Sequence, residues 1–239
     1  MSKNRKGKVV LYLMRHGETI INRAHRTQGW CDGVLTDNGI EAAVNTGLGL
    51  SHIKFKSVYS SDLGRAIKTA NIVIKENKYG KDLKLNEVEG LREVYFGKYE
   101  GEHENILLND ILTYLNVKSL NEAEEKYEFQ KAFCDSVAAL DETKKAENYD
   151  CAVNRVLGSL KDICKENQED EDVNVLLVIH GGILRLIIDY FDKTIEIRDM
   201  RNSSISKIIY DNGNVTIESV NDMTYSEKGR NMREAKIKS

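Results

Sequence analysis

The segment Val173–Ile179, reading Val-Asn-Val-Leu-Leu-Val-Ile, narrows the folds open to this chain more than any other. It is a nearly unbroken apolar run of β-favouring residues, without the alternation of a strand that keeps one face wet. A strand of that kind is buried on both faces, which requires a largely parallel sheet covered by helices above and below. Val9–Met14 repeats the pattern near the start of the chain.

The intervening segments supply the covering. Helical spacing runs over Gly39–Ile53, with Asp37 or Asn38 placed as N-cap, and over Asp62–Glu76, where Leu63, Ala66, Ile67, Ala70 and Val73 share an apolar face. Ser57–Ser60 and Leu83–Val88 are expected to be short strands, Cys151–Glu166 and Ile183–Phe191 helices. Ser204–Tyr210 and Val215–Val220 flank a turn at Asn212-Gly213 and predict a hairpin. Residues 99–150 are polar and helix-favouring, so they are expected to form a helical insertion rather than a second domain. The expectation is one α/β domain over residues 1–225, with a mostly parallel central sheet and helices on both faces, and a charged, flexible tail at 226–239.

Bulk properties exclude several function classes. Hydrophobic content of 41% with 31% charged residues is that of a globular chain, not a disordered one. A net charge of −3 argues against nucleic-acid binding, which needs a concentrated basic surface. Val175–Phe191 is interrupted by His180, Arg185 and Asp189, so no membrane span is expected. The basic start Met1–Lys8 leads into a strand rather than a signal-peptide core. Cys31, Cys134, Cys151 and Cys164 form no CxxC pair or zinc spacing, as in the reduced thiols of a cytoplasmic protein.

Arg15-His16 and His180-Gly181 follow directly on the two best strands, where open α/β sheets hold their ligands. Taken singly, a histidine after a strand is more often structural than catalytic, and Arg65 or Glu93 would pass for ordinary charged residues. The combination carries more weight. A phosphomonoester dianion needs several cationic donors, and the planar fork of arginine suits its oxygens; Arg15 and Arg65 are the candidates. Gly17 and Gly181 would let backbone approach the phosphate closely. His25, His52 and His103 have no comparable setting. Thr19 is expected to cap a turn, and Ser61 or Asp62 to cap the helix that carries Arg65.

Arg15-His16-Gly17-Glu18-Thr19, Gln28-Gly29-Trp30-Cys31-Asp32, Ser61-Asp62-Leu63-Gly64-Arg65, Leu91-Arg92-Glu93, Phe96-Gly97, Glu100-Gly101, His180-Gly181-Gly182 and Asn202-Ser203-Ser204 occur in that order from Val9 to about Asp222. The ordered set resembles the histidine phosphatase superfamily. That resemblance implies a phosphoglycerate-mutase-like fold with a helical insertion over the active site. It implies His16 as the nucleophile that forms a phosphohistidine, Glu93 as the proton donor, and His180 as the third catalytic residue, adding a positive donor when protonated. Arg15, Asn22, Arg65 and Gly181 would bind the substrate phosphate, with no metal and no cofactor. The partner implied is a small phosphorylated metabolite. The segment from Glu93 to Gly101 is closer to the small-molecule phosphatases than to the mutases, with Tyr99 where those phosphatases have tryptophan. Two alternatives remain open at this point: a cofactor-dependent phosphoglycerate-mutase-type phosphotransferase, and a non-catalytic phosphate-binding regulatory module.

Overall fold

The computed structural model describes residues 6–197 and 199–238; Met1–Arg5 of the basic start and Ser239 of the tail lie outside them. Six strands, β1 Val9–Arg15, β2 Phe55–Ser60, β3 Leu85–Glu87, β4 Val173–Ile179, β5 Ile205–Asp211 and β6 Asn214–Asp222, form one sheet in the order β3-β2-β4-β1-β5-β6. The first four in that order are parallel, and β5 and β6 add an antiparallel hairpin at one edge. The helices are α1 Ile20–Arg23, α2 Asp37–Gly49, α3 Gly64–Glu76, α4 Glu104–Tyr114, α5 Leu120–Lys126, α6 Phe129–Leu140, α7 Tyr149–Asn167, α8 Gly181–Phe191 and α9 Thr224–Lys238.

The apolar run that opened the sequence reading is the middle of the sheet, and side-chain alternation divides it between two cores. Val175, Leu177 and Ile179 pack with Val153, Val156 and Leu160 of α7 and Ile183 and Ile187 of α8. Leu176 and Val178 point the other way, into Leu50, Ala66, Ala70 and Val73 beneath α2 and α3. Each fully buried aliphatic side chain contributes about 2 kcal/mol of transfer free energy, so a strand apolar on both faces is most stable in the centre. Among the described residues no helix is long and apolar enough to cross a membrane.

Three local differences from the sequence expectations have physical causes. Helix α2 starts at Asp37 because Thr36 is its cap: Thr36 Oγ1 accepts from the Gly39 N–H at 3.0 Å. Helix α3 starts only at Gly64, with Leu63 at the cap position, because Ser61 and Asp62 are engaged elsewhere. The tail expected to be flexible is α9, a helix laid against α2. A Cβ on Gly229 would stand 1.8 Å from the Asn45 carbonyl oxygen, and one on Gly49 2.0 Å from that of Tyr225, so the two backbones touch through glycines. Arg233 then reaches Asn45 at 2.9 Å and Glu41 at 3.2 Å. Packing through glycine leaves no apolar periodicity to read.

The polar stretch at 99–150 holds α4, α5 and α6, while its last two residues already belong to α7. Its connection back to the core is organised by Asp141, which is fully buried. Its carboxylate accepts from the N–H groups of Lys98, Thr143, Lys145 and Ala146 and from the Thr143 hydroxyl. Burial pushes the Asp141 carboxyl up, but the donors from Ala146, Thr143, Lys145 and Lys98 together hold it well below the usual carboxylate range.

Candidate active site

Strand register creates the site. Arg15 pairs with Ile179 across β1 and β4, and the His16 N–H donates to the Ile179 carbonyl at 3.0 Å. The next residue of each strand is therefore a histidine beside a histidine, with ring centroids 5.2 Å apart. Both rings are buried. Ser61, beyond the end of β2, completes the row, its N–H donating to the Val178 carbonyl.

Each histidine has a defined hydrogen-bonding state. His16 Nδ1–H donates to the Gly17 carbonyl at 2.8 Å, which leaves the lone pair on Nε2. Burial, then Arg65 and Arg15, hold the His16 proton affinity well below the ordinary histidine value. His180 is depressed in the same way, by burial first and then by Arg65. Ser61 Oγ accepts from the Leu63 N–H and lies 2.6 Å from His180 Nε2, so it orients the ring. His180 Nδ1 is buried with no protein partner. Ser61 thus serves His180 rather than the cap of α3, where Leu63 stands.

Arg65, only 1% exposed, is wired on every side. Its Nε donates to His16 Nε2 at 3.3 Å, Nη1 to the Cys31 carbonyl at 2.9 Å and to Asp32 at 3.1 Å, and Nη2 to the Gly29 carbonyl at 2.6 Å. The loop it grips is held from behind by Glu100, whose carboxylate accepts from the N–H groups of Gly29, Trp30, Cys31 and Phe96. Arg15 bonds the Met200 carbonyl through Nη1, and its Nε is buried without a partner. Burial, and next the nearby Arg185, bring the Arg15 guanidinium down to about 10.

Glu93 sits at the start of α8. Its carboxylate accepts from the N–H of Gly182 at 2.8 Å, of Ile183 at 2.8 Å and of Val94 at 2.9 Å. Its own carbonyl accepts from Trp30 Nε1 at 2.8 Å and from Arg155 Nη2 at 3.1 Å. Arg155 also bonds the Gly90 and Arg92 carbonyls, so this α7 residue sets the path of the whole Glu93 segment. Asp62 pairs with Arg92 through two bonds of 2.7 and 2.5 Å, and Arg92 stacks on Trp30.

Asn22 Oδ1 accepts from the Thr19 N–H, which leaves the Asn22 amide donors at the cavity, while Thr19 caps α1 as expected. Gly181 faces the Arg15 guanidinium, with a Cβ there falling 3.1 Å from Nε. Gly17 also approaches backbone closely: a Cβ would stand 2.6 Å from the Gly39 carbonyl oxygen. His25, His52 and His103 are exposed. Phe96 lines the cavity, whereas Tyr99 is core and donates its hydroxyl to Asp110.

Arg15, His16, Asn22, Glu93 and Gly181 line one cavity of about 470 Å³, with His180 and Arg65 packed directly behind His16. Its outer wall comes from α4, α5 and α6, through Leu107, Leu120, Phe129 and Phe133 among others. Sequence reasoning gave no role to Arg185, Glu100 or Arg155, whose contacts are made across the fold. Among the described residues no three His, Cys, Asp or Glu side chains converge to hold a metal ion.

Two buried histidines flanked by arginines thus share one end of the sheet with a carboxylate at a helix N-terminus. The family profile of the histidine phosphatase superfamily (branch 1) matches residues 11–223, and the chain belongs to that superfamily. The crystal structure of phosphoglycerate mutase from Bacillus anthracis str. Sterne superposes with a TM-score of 0.90 at 38% identity, over 95% of this chain and 99% of that one. A broad-specificity phosphatase of Saccharomyces cerevisiae is 29% identical over 87% of this chain and 77% of its own length. A metal-independent phosphoserine phosphatase of Arabidopsis thaliana is 27% identical over 90% of this chain and 82% of its own length.

Proposed function

We propose that this chain is a phosphatase that hydrolyses a small phosphomonoester through a phosphohistidine on His16, with no metal ion in the reaction. The observation that carries the proposal is the tautomer of His16, whose Nδ1–H is committed to the Gly17 carbonyl so that Nε2 is the nucleophilic atom. Its depressed proton affinity keeps that nitrogen unprotonated at neutral pH.

In the first step His16 Nε2 forms a bond to phosphorus as the bond to the leaving oxygen breaks, and a proton passes from the Glu93 carboxyl to that oxygen. In the second, Glu93 takes a proton from water, the water oxygen bonds to phosphorus, and the P–N bond breaks to free His16 and inorganic phosphate. Arg15 and Arg65 offset the charge on the non-bridging oxygens, and His180 and the Asn22 amide add further donors. Because the charge stabilisation comes from fixed side chains, hydrolysis is expected to persist in EDTA.

The Bacillus anthracis likeness favours a second reading, transfer of the phosphoryl group to another alcohol. The cavity wall does not separate the two readings, because Arg26 and Arg185 line it beside the apolar Leu107, Phe129 and Phe133. The phosphatase reading is supported by the activities named for the yeast and Arabidopsis relatives.

The test compares wild type with His16→Ala on p-nitrophenyl phosphate in EDTA. Wild type should release phosphate and leave an acid-labile phosphoenzyme on rapid quenching, and the variant should do neither. No release from wild type, or equal release from both, would overturn the reading. With 3-phosphoglycerate and a bisphosphorylated primer, isomerisation outrunning phosphate release would decide for the mutase.

A further inference from the structure

Glu93 stands on backbone that belongs to no strand or helix. The 3₁₀ turn Glu89–Leu91 ends before it, and the next regular turn begins only at Gly97. Main-chain carbonyls in such a stretch have no ladder to satisfy them, so their donors must come from elsewhere. Those of Gly90, Arg92 and Glu93 all accept from Arg155 of α7, at 3.1, 2.8 and 3.1 Å. Arg155 Nε and Nη2 also donate to the two oxygens of Glu147, at 2.7 and 2.6 Å. A guanidinium has five N–H groups, and all five of these are engaged.

The arrangement braces the Glu93 segment from outside the cavity. The side chains of Arg155 and Glu147 are only 18% and 15% exposed, and neither lines the cavity, so neither reaches a bound phosphoester. Glu147 is fixed to the same stretch of chain: its N–H donates to the Tyr95 carbonyl at 2.9 Å, and its carboxylate accepts from the Tyr95 N–H at 3.0 Å. Arg155 is carried by a helix whose Val153, Val156 and Leu160 are in the core. A Cβ on Gly90 would stand 1.9 Å from Ser159 Oγ, so the segment lies directly against that helix. Glu93 is thus held at two ends, its main chain by α7 and its carboxylate by the Gly182 and Ile183 N–H groups of α8.

Resting on the phosphatase reading, we infer that Arg155 is a positioning residue for the proton transfer by Glu93, with Glu147 keeping the guanidinium in register. A carboxyl group misplaced by about 1 Å can forfeit about 10²-fold, and the main chain of Glu93 has no other regular support. The demand is for the fork and not for the charge alone. Lysine would keep the charge and could pair with Glu147. Its three donors radiate from one nitrogen, and they cannot meet three carbonyls and a carboxylate together.

The experiment compares wild type, Arg155→Lys and Glu147→Gln on propyl phosphate and p-nitrophenyl phosphate. The quantity read is kcat/KM, which reports the steps up to phosphoryl transfer onto His16. Only the propyl leaving oxygen needs a proton there. Arg155→Lys should lose about tenfold or more on the propyl ester beyond its loss on the nitrophenyl ester, and Glu147→Gln about threefold. Thermal melting should show both variants folded. Equal losses on the two esters would show that the pair only supports the fold, and wild-type values in Arg155→Lys would show that charge suffices; both overturn the inference. Should Arg155→Lys fail to fold, Glu147→Gln decides, and no excess loss on the propyl ester overturns it.

Trp30, the only tryptophan of the chain, gives a readout without turnover. Its indole N–H donates to the Glu93 carbonyl at 2.8 Å, the same oxygen that Arg155 holds. In nitrogen–proton correlation NMR, both folded variants should shift this single indole signal and speed its exchange with solvent. Should wild type hydrolyse neither ester, the phosphatase reading fails, while the indole signal still decides whether Arg155 fixes Glu93. An unchanged signal refutes that.

Discussion

Replacing Gly182 by alanine probes the proposed proton donor without touching it. A Cβ at this position would stand 2.6 Å from Glu93 Oε1 and 3.1 Å from the other two atoms of the carboxylate. To regain ordinary van der Waals separation, the carboxylate must retreat by on the order of 0.5–1 Å. That displacement stretches the three N–H donations from Val94, Gly182 and Ile183 that now fix it at 2.8–2.9 Å. A general acid contributes roughly 10²–10⁴-fold, and a misplacement of about 1 Å can forfeit about 10²-fold. The helix itself does not suffer, since Gly182 is the second residue of α8 and alanine is the better helix former of the two. Steady-state kinetics on two substrates separates the effects. With an alkyl phosphate, whose leaving oxygen needs a proton, kcat should fall about 100-fold. With p-nitrophenyl phosphate, whose phenolate leaves unprotonated, it should fall less than about fivefold. Thermal melting should show the variant folded. Equal losses on both esters, or no loss on the alkyl ester, would refute the assignment of Glu93 as the proton donor.

Two further outcomes concern stability. His16 and His180 are held neutral when folded, whereas in the unfolded chain they take up protons below about pH 6.5, so stability should be full above that pH and fall as the pH drops below it. The slope is roughly 1 kcal/mol per pH unit for each histidine, and urea midpoints that stay level between pH 7.5 and 5.5 would contradict it. Asp141→Asn replaces one carboxylate oxygen, now ringed by N–H and O–H donors, with an amide that faces them; urea unfolding should register a loss of about 3 kcal/mol, and a loss under about 1 kcal/mol would show that the ring relaxes around it.

Much of the site was legible before folding because its parts are written into local sequence. A two-sided apolar run ending in histidine places that histidine at the carboxyl edge of a buried strand, and two such runs predict two such histidines. The ordered motifs named the arginines and Glu93. Other assignments failed where a residue serves a partner far away in the chain. Ser61 and Asp62 have the composition of a helix cap, yet they go to His180, 119 residues distant, and to Arg92, 30 residues distant. The charged tail lacks apolar periodicity because α9 meets α2 through Gly229 and Gly49.

By itself the sequence determined the central strands, the class of sheet and the candidate reacting groups, since burial on two faces and the chemistry of histidine are properties of short segments. Only the tertiary structure decided which nitrogen of His16 carries no proton, that Ser61 orients His180, and that Arg185 Nε is buried without a partner. Protonation state and pairing depend on what surrounds a group. In this protein those surroundings come from β1, β2, β4 and α8, segments separated by up to about 160 residues and brought together by strand register.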